Sequence, residues 1–181
     1  ELRDLNKRYN RGEFECIVIY GRRRVGKTAL INEFCKDKPT IFFSALNASE
    51  QENLEAFSKA ICEKEHPGTD LAPVYPSFDA ALTKITQMAE NERLVLAIDE
   101  YPYLAKASKS ISSRLQHIID HTWKNGQLFL ILCGSSMSFM EYQVLGYESP
   151  LYGRRTGQFK IQALSYKEIR EFNPTLKTEQ Q

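Results

Sequence analysis

An octapeptide near the start of the chain, GRRRVGKT (residues 21–28), has the residue types and spacing of a phosphate-binding loop. Glycines at such positions let backbone N–H groups curl around phosphate oxygens, and the positive N-terminus of a following helix adds to the attraction. A lysine then reaches the β- and γ-phosphates, and a hydroxyl binds Mg²⁺. The loop predicts that one contiguous run of residues binds a nucleotide: Gly21, Arg22, Arg23, Arg24, Val25, Gly26, Lys27, Thr28 and Ala29.

Three consecutive arginines, residues 22–24, give this loop an unusual charge. Because backbone amides make the phosphate contacts, we expect the arginine side chains to point away from the cradle. They are then either solvated or paired with acidic residues of neighbouring loops. Alternatively, they contact a partner subunit, a downstream domain or nucleic acid. The sequence leaves both interpretations open.

An acidic pair, Asp99 and Glu100, ends the apolar run RLVLAID. Asp99 is predicted to hold Mg²⁺ together with Thr28, and Glu100 to polarise a water for attack on the γ-phosphate. The alternative is that the pair only begins a helix, where the dipole favours negative charge. An adjacent glutamate is typical of P-loop proteins that hydrolyse ATP. The pair therefore favours hydrolysis over phosphoryl transfer to a small molecule.

Two further polar segments are candidates for the same chemistry. Ser135 and Ser136 follow the apolar run QLFLILCG and are predicted to touch the γ-phosphate or orient the attacking water, although Ser136 is an equally good helix cap. Arg154 and Arg155 follow Gly153. A guanidinium stabilises the charge that develops in phosphoryl transfer, in its own subunit or in a neighbour's. The alternative is a salt-bridged surface pair.

Short apolar segments alternate with helical patterns and must position these groups. Strands are predicted at 15–20, 40–45, 93–99 and 127–135, each apolar on both faces, and an edge strand at 157–164. This pattern indicates an α/β protein with a parallel sheet covered by helices.

Helices are predicted between these strands. The residues that follow the glycine loop, 27–35, form one candidate, and apolar residues at helical spacing indicate others at 50–65 and 109–124. Ser77 is positioned to cap a further helix. A short helix is expected over 136–145.

The overall composition is that of an ordinary globular domain. The chain has 181 residues, of which 42% are hydrophobic, and a net charge of +1, which excludes a global field that recruits nucleic acid or an anionic membrane. The four cysteines show no metal-site spacing, and reduced thiols suggest a cytoplasmic location. No run approaches the ~20 apolar residues of a membrane span.

Four segments, taken in their order along the chain, resemble the archaeal-type ATPase family. They are IVIYGRRRVGKTALINEF, LAIDEYPYL, LILCGSSMSFM and SPLYGRRTGQF. These prokaryotic P-loop ATPases are related to the STAND signalling ATPases and the broader AAA-like class. The resemblance implies a three-layer P-loop NTPase sandwich with a five-stranded parallel sheet in the order 5-1-4-3-2. It also implies ATP and Mg²⁺ as ligands.

The resemblance divides the chain into three parts. Residues 1–12 are expected to be the remnant of an N-terminal segment near the base, 13–166 the ATPase domain, and 167–181 the start of a linker to a C-terminal region. In family members that region is usually a winged helix, often followed by a nuclease-like domain. Expected partners are ATP or ADP, this region, and a second copy through arginine contacts. Nucleic acid is expected only through the C-terminal region, and no membrane partner is expected.

ATP hydrolysis that drives or regulates an attached or partner domain is the leading functional prediction. Lys27 clamps phosphate, Thr28 and Asp99 hold the metal, Glu100 activates water, and Arg154 or Arg155 stabilises the transition state. A nucleotide-dependent switch with negligible turnover and a small-molecule kinase are the alternatives.

Overall fold

The computed structural model describes residues 1–68 and 73–163. The predicted linker, 167–181, and the last residues of the predicted ATPase domain, 164–166, lie outside the described residues.

Five strands form one sheet in which every pairing is parallel. The strands are β1 (Glu15–Tyr20), β2 (Thr40–Ser44), β3 (Val95–Asp99), β4 (Phe129–Gly134) and β5 (Gly157–Lys160). Their order across the sheet is β2-β3-β4-β1-β5. The predicted fold class and the order 5-1-4-3-2 are therefore confirmed. Every residue of β1, β3 and β4 is buried, because helices cover both faces of the sheet.

Seven α-helices connect and cover these strands within the described residues. They are α1 (Leu2–Tyr9), α2 (Lys27–Cys35), α3 (Glu50–Glu65), α4 (Phe78–Asn91), α5 (Tyr101–Ala107), α6 (Ile111–His121) and α7 (Met137–Phe139). A 3-10 turn (Trp123–Asn125) follows α6, and a π-helical turn (Met140–Val144) continues α7. The predicted helices at 27–35 and 50–65 match α2 and α3. Ser77 caps α4 as predicted, since its Oγ accepts a hydrogen bond from the Ala80 N–H at 3.2 Å.

Helix α1 was not predicted. Its Leu5 is fully buried and belongs to the same apolar cluster as Ile17 of β1 and Phe34 of α2. The Tyr9 hydroxyl donates to the Arg93 carbonyl at 3.0 Å, just before β3. The segment predicted as a remnant, residues 1–12, thus contains a helix that packs on the same core as the rest of the domain.

Helix α5 was considered only in the alternative that the acidic pair begins a helix, and Glu100 is indeed its N-cap. Pro102 lies in the first helical turn, where its fixed φ suits a helix and its missing N–H loses no hydrogen bond. Tyr101 is fully buried, and its hydroxyl lies 2.7 Å from the Ser112 Oγ of α6. This tertiary contact joins the first turn of α5 to α6.

The parallel arrangement gives the sheet one edge at which all five strands end. Tyr20 of β1 is level with Gly134 of β4, and Ser44 of β2 with Asp99 of β3. The phosphate loop and the acidic pair are therefore brought to the same edge, the carboxyl edge, where α/β sheets bind ligands. Within the described residues, no helix is both long and apolar enough to span a bilayer.

Candidate functional site

The glycine loop joins the carboxyl end of β1 to the N-terminus of α2. Gly26 is the N-cap of α2 with φ +95°, a left-handed conformation that favours glycine. Gly21 is required for a different reason. A Cβ at this position would collide with the backbone carbonyl of Ile161, which passes directly over it.

An open cleft of about 790 Å³ lies beside this loop. Its lining combines the loop, the start of α2 and the second residue of the acidic pair: Arg23, Arg24, Gly26, Lys27, Thr28, Ala29 and Glu100. Arg22 and Val25 border a separate, smaller cleft beside Lys160 and Ile161. The structure therefore brings most, but not all, of the predicted nucleotide-binding residues to one cavity.

Lys27 lies at the base of the loop and is only 6% exposed. Its Nζ donates hydrogen bonds to two loop carbonyls, that of Gly21 at 3.0 Å and that of Arg22 at 2.8 Å. A buried ammonium is stable only when its donors are satisfied. These carbonyls hold the Lys27 charge at the cleft.

Thr28 and Asp99, the two residues predicted to hold Mg²⁺, are in direct contact. The Thr28 Oγ donates to one Asp99 carboxylate oxygen at 2.7 Å, and the other oxygen accepts the Glu100 N–H at 2.9 Å. Burial, and then the negative charge of Asp99, raise the pKa of the neighbouring Cys133 thiol, which stays neutral. Hydroxyl and carboxylate oxygens are the donors that Mg²⁺ prefers, and it needs only one or two protein carboxylates beside substrate phosphates.

Glu100 is the N-cap of α5 and has φ +50°, a left-handed conformation that is rare outside glycine. The Ser135 Oγ lies 2.9 Å from each of its two carboxylate oxygens. The structure therefore joins Ser135 to the glutamate. Ser136 is the N-cap of α7, but its side chain accepts no capping hydrogen bond.

The structure does not bring Arg154 or Arg155 to the loop of their own chain. Thr156 donates its N–H to the Cys16 carbonyl at the start of β1, whereas the loop follows Tyr20. Four residues of strand at about 3.3 Å each separate these points by roughly 13 Å. Both arginines therefore lie near the amino edge of the sheet, where the strands begin, and not near the carboxyl edge.

The side chains of these two arginines have other partners. The Arg154 guanidinium is bound to both carboxylate oxygens of Asp120, at 3.0 and 2.6 Å. The Arg155 guanidinium donates to the Leu145 carbonyl at 3.3 Å. The predicted role in their own subunit is therefore not supported, and for Arg154 the alternative of a salt-bridged pair describes the geometry.

Gly134 is a site residue that the sequence analysis missed. A Cβ there would come within 2.7 Å of the Met140 Sδ and 2.8 Å of Pro102. The absence of a side chain lets α5 pack against the end of β4, which sets Glu100 opposite Ser135. A glycine at the end of an otherwise apolar strand was the available signal.

A family of ATPase domains found predominantly in Archaea matches the whole chain, residues 1–181. The chain belongs to this family. The predicted resemblance to archaeal-type ATPases is thus confirmed. An uncharacterized protein of Methanocaldococcus jannaschii is 38% identical over 174 residues, which cover 96% of this chain and 37% of that protein. An uncharacterized ATP-binding protein of the same organism is 47% identical over 38 residues, 21% of this chain and 64% of that protein.

Solved structures of archaeal proteins share the fold of this ATPase domain. The ORC2 protein of Aeropyrum pernix, in ADPNP and ADP complexes, has a TM-score of 0.66 at 16% identity, over 94% of this chain and 48% of that one. The ORC1 protein of Aeropyrum pernix in complex with DNA has a TM-score of 0.65 at 17% identity, over 96% of this chain and 47% of that one. The chain spans less than half the length of each.

Proposed function

We propose that this chain binds ATP with Mg²⁺ and hydrolyses the ATP to ADP and phosphate. One arrangement carries the proposal: Lys27, Thr28 and Glu100 border a single cleft, and Asp99 is hydrogen-bonded to Thr28. A cation, a pair of metal-binding oxygens and a carboxylate base are the groups that hydrolysis of a phosphoanhydride requires. Membership of an ATPase-domain family supports the same conclusion.

Lys27 and the loop bind the phosphates in this proposal. The Lys27 ammonium now contacts neutral carbonyls of Gly21 and Arg22, and anionic phosphate oxygens are stronger acceptors. The N-terminus of α2 contributes its free N–H groups and its positive dipole.

Thr28 and Asp99 would hold Mg²⁺ through the threonine hydroxyl and the aspartate carboxylate. When bound, the ion neutralises part of the charge on the phosphate oxygens. Asp99 is 5% exposed and already accepts two hydrogen bonds, so its orientation is set before ligands arrive.

Glu100 is the proposed base. The oxygen of a water attacks the γ-phosphorus, and the bond from that phosphorus to the bridging oxygen breaks. The electron pair leaves on ADP, and the Glu100 carboxylate takes the proton of the water. Ser135 orients this carboxylate through its hydrogen bond to it.

A nucleotide-dependent switch with negligible turnover is the second candidate. The contact between Ser135 and Glu100 favours it, because a carboxylate held by a serine hydroxyl is less free to accept a proton from water. The two functions differ in a single measurable quantity, the rate of phosphate release.

Substitution of Glu100 tests the proposal. Glu100→Gln should bind ATP as wild type does and release phosphate at least about 100-fold more slowly, the usual contribution of a positioned base. Glu90→Gln, an exposed carboxylate on α4, is the matched control and should retain turnover. Normal phosphate release by Glu100→Gln would remove Glu100 from the mechanism. A wild-type protein that binds ATP tightly but releases no phosphate would favour the nucleotide-dependent switch.

We further propose that the ATPase domain, predicted over residues 13–166 and extended by helix α1 on the same core, drives or regulates an attached domain. The match to the Methanocaldococcus jannaschii relative supports this, because it leaves most of that protein outside the shared region. Turnover of that relative, measured with and without the region outside the match, tests the coupling. Equal turnover with and without that region would contradict it.

A further inference from the structure

Arg23 and Arg24 lie at the phosphate cleft itself. Both residues border the cavity that Lys27, Thr28 and Glu100 also line, and both are exposed. Across residues 1–68 and 73–163, neither side chain makes a hydrogen bond or an ion pair. The two arginines are therefore charged donors at the cleft without a protein partner in the described part of the chain.

The backbone at Arg24 is left-handed, with φ +65°. Such a conformation is unfavourable for a non-glycine residue and is concentrated at functional sites. A glycine would adopt it without this cost. The residue that adopts this unfavourable conformation is an arginine that borders the cleft.

The other arginine pair is not available to the cleft of its own chain. Arg154 is held by Asp120 near the opposite edge of the sheet, and Arg155 by the Leu145 carbonyl. Apart from Arg23 and Arg24, Lys27 is then the only cationic residue that lines the cleft within the described residues. Preorganised cations stabilise the charge that develops on the γ-phosphoryl oxygens. Arg23 and Arg24 are placed to add two such groups to Lys27 and the proposed Mg²⁺.

We infer that Arg23 and Arg24 supply, within their own chain, the guanidinium charge that stabilises the transferring γ-phosphoryl group, an inference that rests on the hydrolysis proposed above. The side chains then point toward the phosphates, in contrast to the expectation that they point away. Turnover requires no arginine from a second copy. An arginine in this role contributes about 10³–10⁵-fold to kcat in other phosphoryl-transfer proteins.

The test compares turnover with ground-state binding in the 181-residue chain. Arg23→Gln/Arg24→Gln should lower kcat for ATP by at least about 100-fold and change the Kd for ADP by less than about threefold. The same variant should lose its affinity for ADP with aluminium fluoride, which mimics the transferring group. Arg3→Gln/Lys7→Gln removes two charges from exposed positions of α1 and should behave as wild type.

A conservative variant keeps the inference testable if the glutamine variant unfolds. Arg23→Lys/Arg24→Lys retains both charges but loses the planar pair of donors. Its kcat should lie at least about tenfold below that of wild type at unchanged ADP affinity. Circular dichroism of each variant reports its folding.

A mixing experiment separates action within one chain from action between copies. Glu100→Gln carries intact arginines, and Arg23→Gln/Arg24→Gln carries an intact base. If the arginines acted on a neighbour, an equimolar mixture would regain turnover. We expect no recovery, and a wild-type rate per chain that does not rise with protein concentration.

Three results would overturn the inference: a kcat within about threefold of wild type, an ADP affinity that falls in parallel with kcat, or recovery on mixing. Each leaves the proposed hydrolysis intact, because wild type still turns over. A wild-type chain that binds ATP and releases no phosphate refutes the proposed hydrolysis, and this inference with it.

Discussion

From the contact between Ser135 and Glu100 we predict how much turnover falls when the serine hydroxyl is removed. The Ser135 Oγ lies 2.9 Å from both oxygens of the Glu100 carboxylate. A hydrogen bond to a charged group contributes about 1.5–3 kcal/mol. Ser135→Ala removes this contact and leaves the carboxylate free to rotate, while the packing of Gly134 against Pro102 is unchanged.

The expected effect falls on kcat rather than on ATP binding, because Ser135 does not line the cleft. With tenfold in rate for each 1.36 kcal/mol, loss of the full hydrogen-bond energy would lower kcat by roughly 10- to 150-fold. KM for ATP should stay within about threefold of wild type. Ser136→Ala, which removes a hydroxyl that makes no capping bond, should leave both values close to wild type.

A double-mutant cycle measured by phosphate release decides whether Ser135 acts through Glu100. Once Glu100 is glutamine, the serine has no base to orient, so Glu100→Gln/Ser135→Ala should be no slower than Glu100→Gln alone. Strictly additive losses would refute the reasoning, since they would mean that Ser135 acts on the phosphate directly. A Ser135→Ala protein that is faster than wild type would instead show that the serine restrains the glutamate, as the switch requires.

Two further predictions concern stability. Gly21→Ala places a methyl group against the Ile161 carbonyl and should lower the free energy of unfolding by about 1–3 kcal/mol. Urea denaturation measures this change. Gly126→Ala, where a Cβ meets only an ordinary contact, is the control and should keep the stability of wild type. The Arg154 guanidinium holds the pKa of Asp120 below its ordinary value, so the pair stabilises the fold above about pH 4 and loses its effect as pH falls through the folded pKa. Arg154→Gln should therefore be less stable than wild type by at most about 1 kcal/mol at pH 7, and this difference should shrink as the pH falls below about 4. A difference that does not change with pH would contradict the pairing.

The elements that local pattern specifies were predictable. Strands β1 and β4 are continuous apolar runs, and α2 follows directly from the glycine loop. Each of these signals is contained in a few adjacent residues. Ser77 was identified as a cap for the same reason, since its partner, the Ala80 N–H, is three residues away.

Helix α1 was not predicted, and α5 was considered only as an alternative for the acidic pair, because distant contacts stabilise both helices. Leu5 is buried by residues of β1 and α2, and Tyr101 is held by a hydroxyl on α6. A seven- or eight-residue helix is marginal by itself in water. Its formation depends on packing that no local pattern describes.

The sequence by itself determined the chemistry available at the candidate site. The loop GRRRVGKT and the pair Asp99–Glu100 carry their residue types and spacing in short segments, and a parallel sheet necessarily brings the ends of its strands to one edge. Only the tertiary structure decided which arginines are near that chemistry. Arg154 and Arg155 precede β5 and so lie near the far edge of the sheet, whereas Arg23 and Arg24 border the cleft. The direction of a strand places a residue at one edge or the other, and that direction is a property of the assembled sheet.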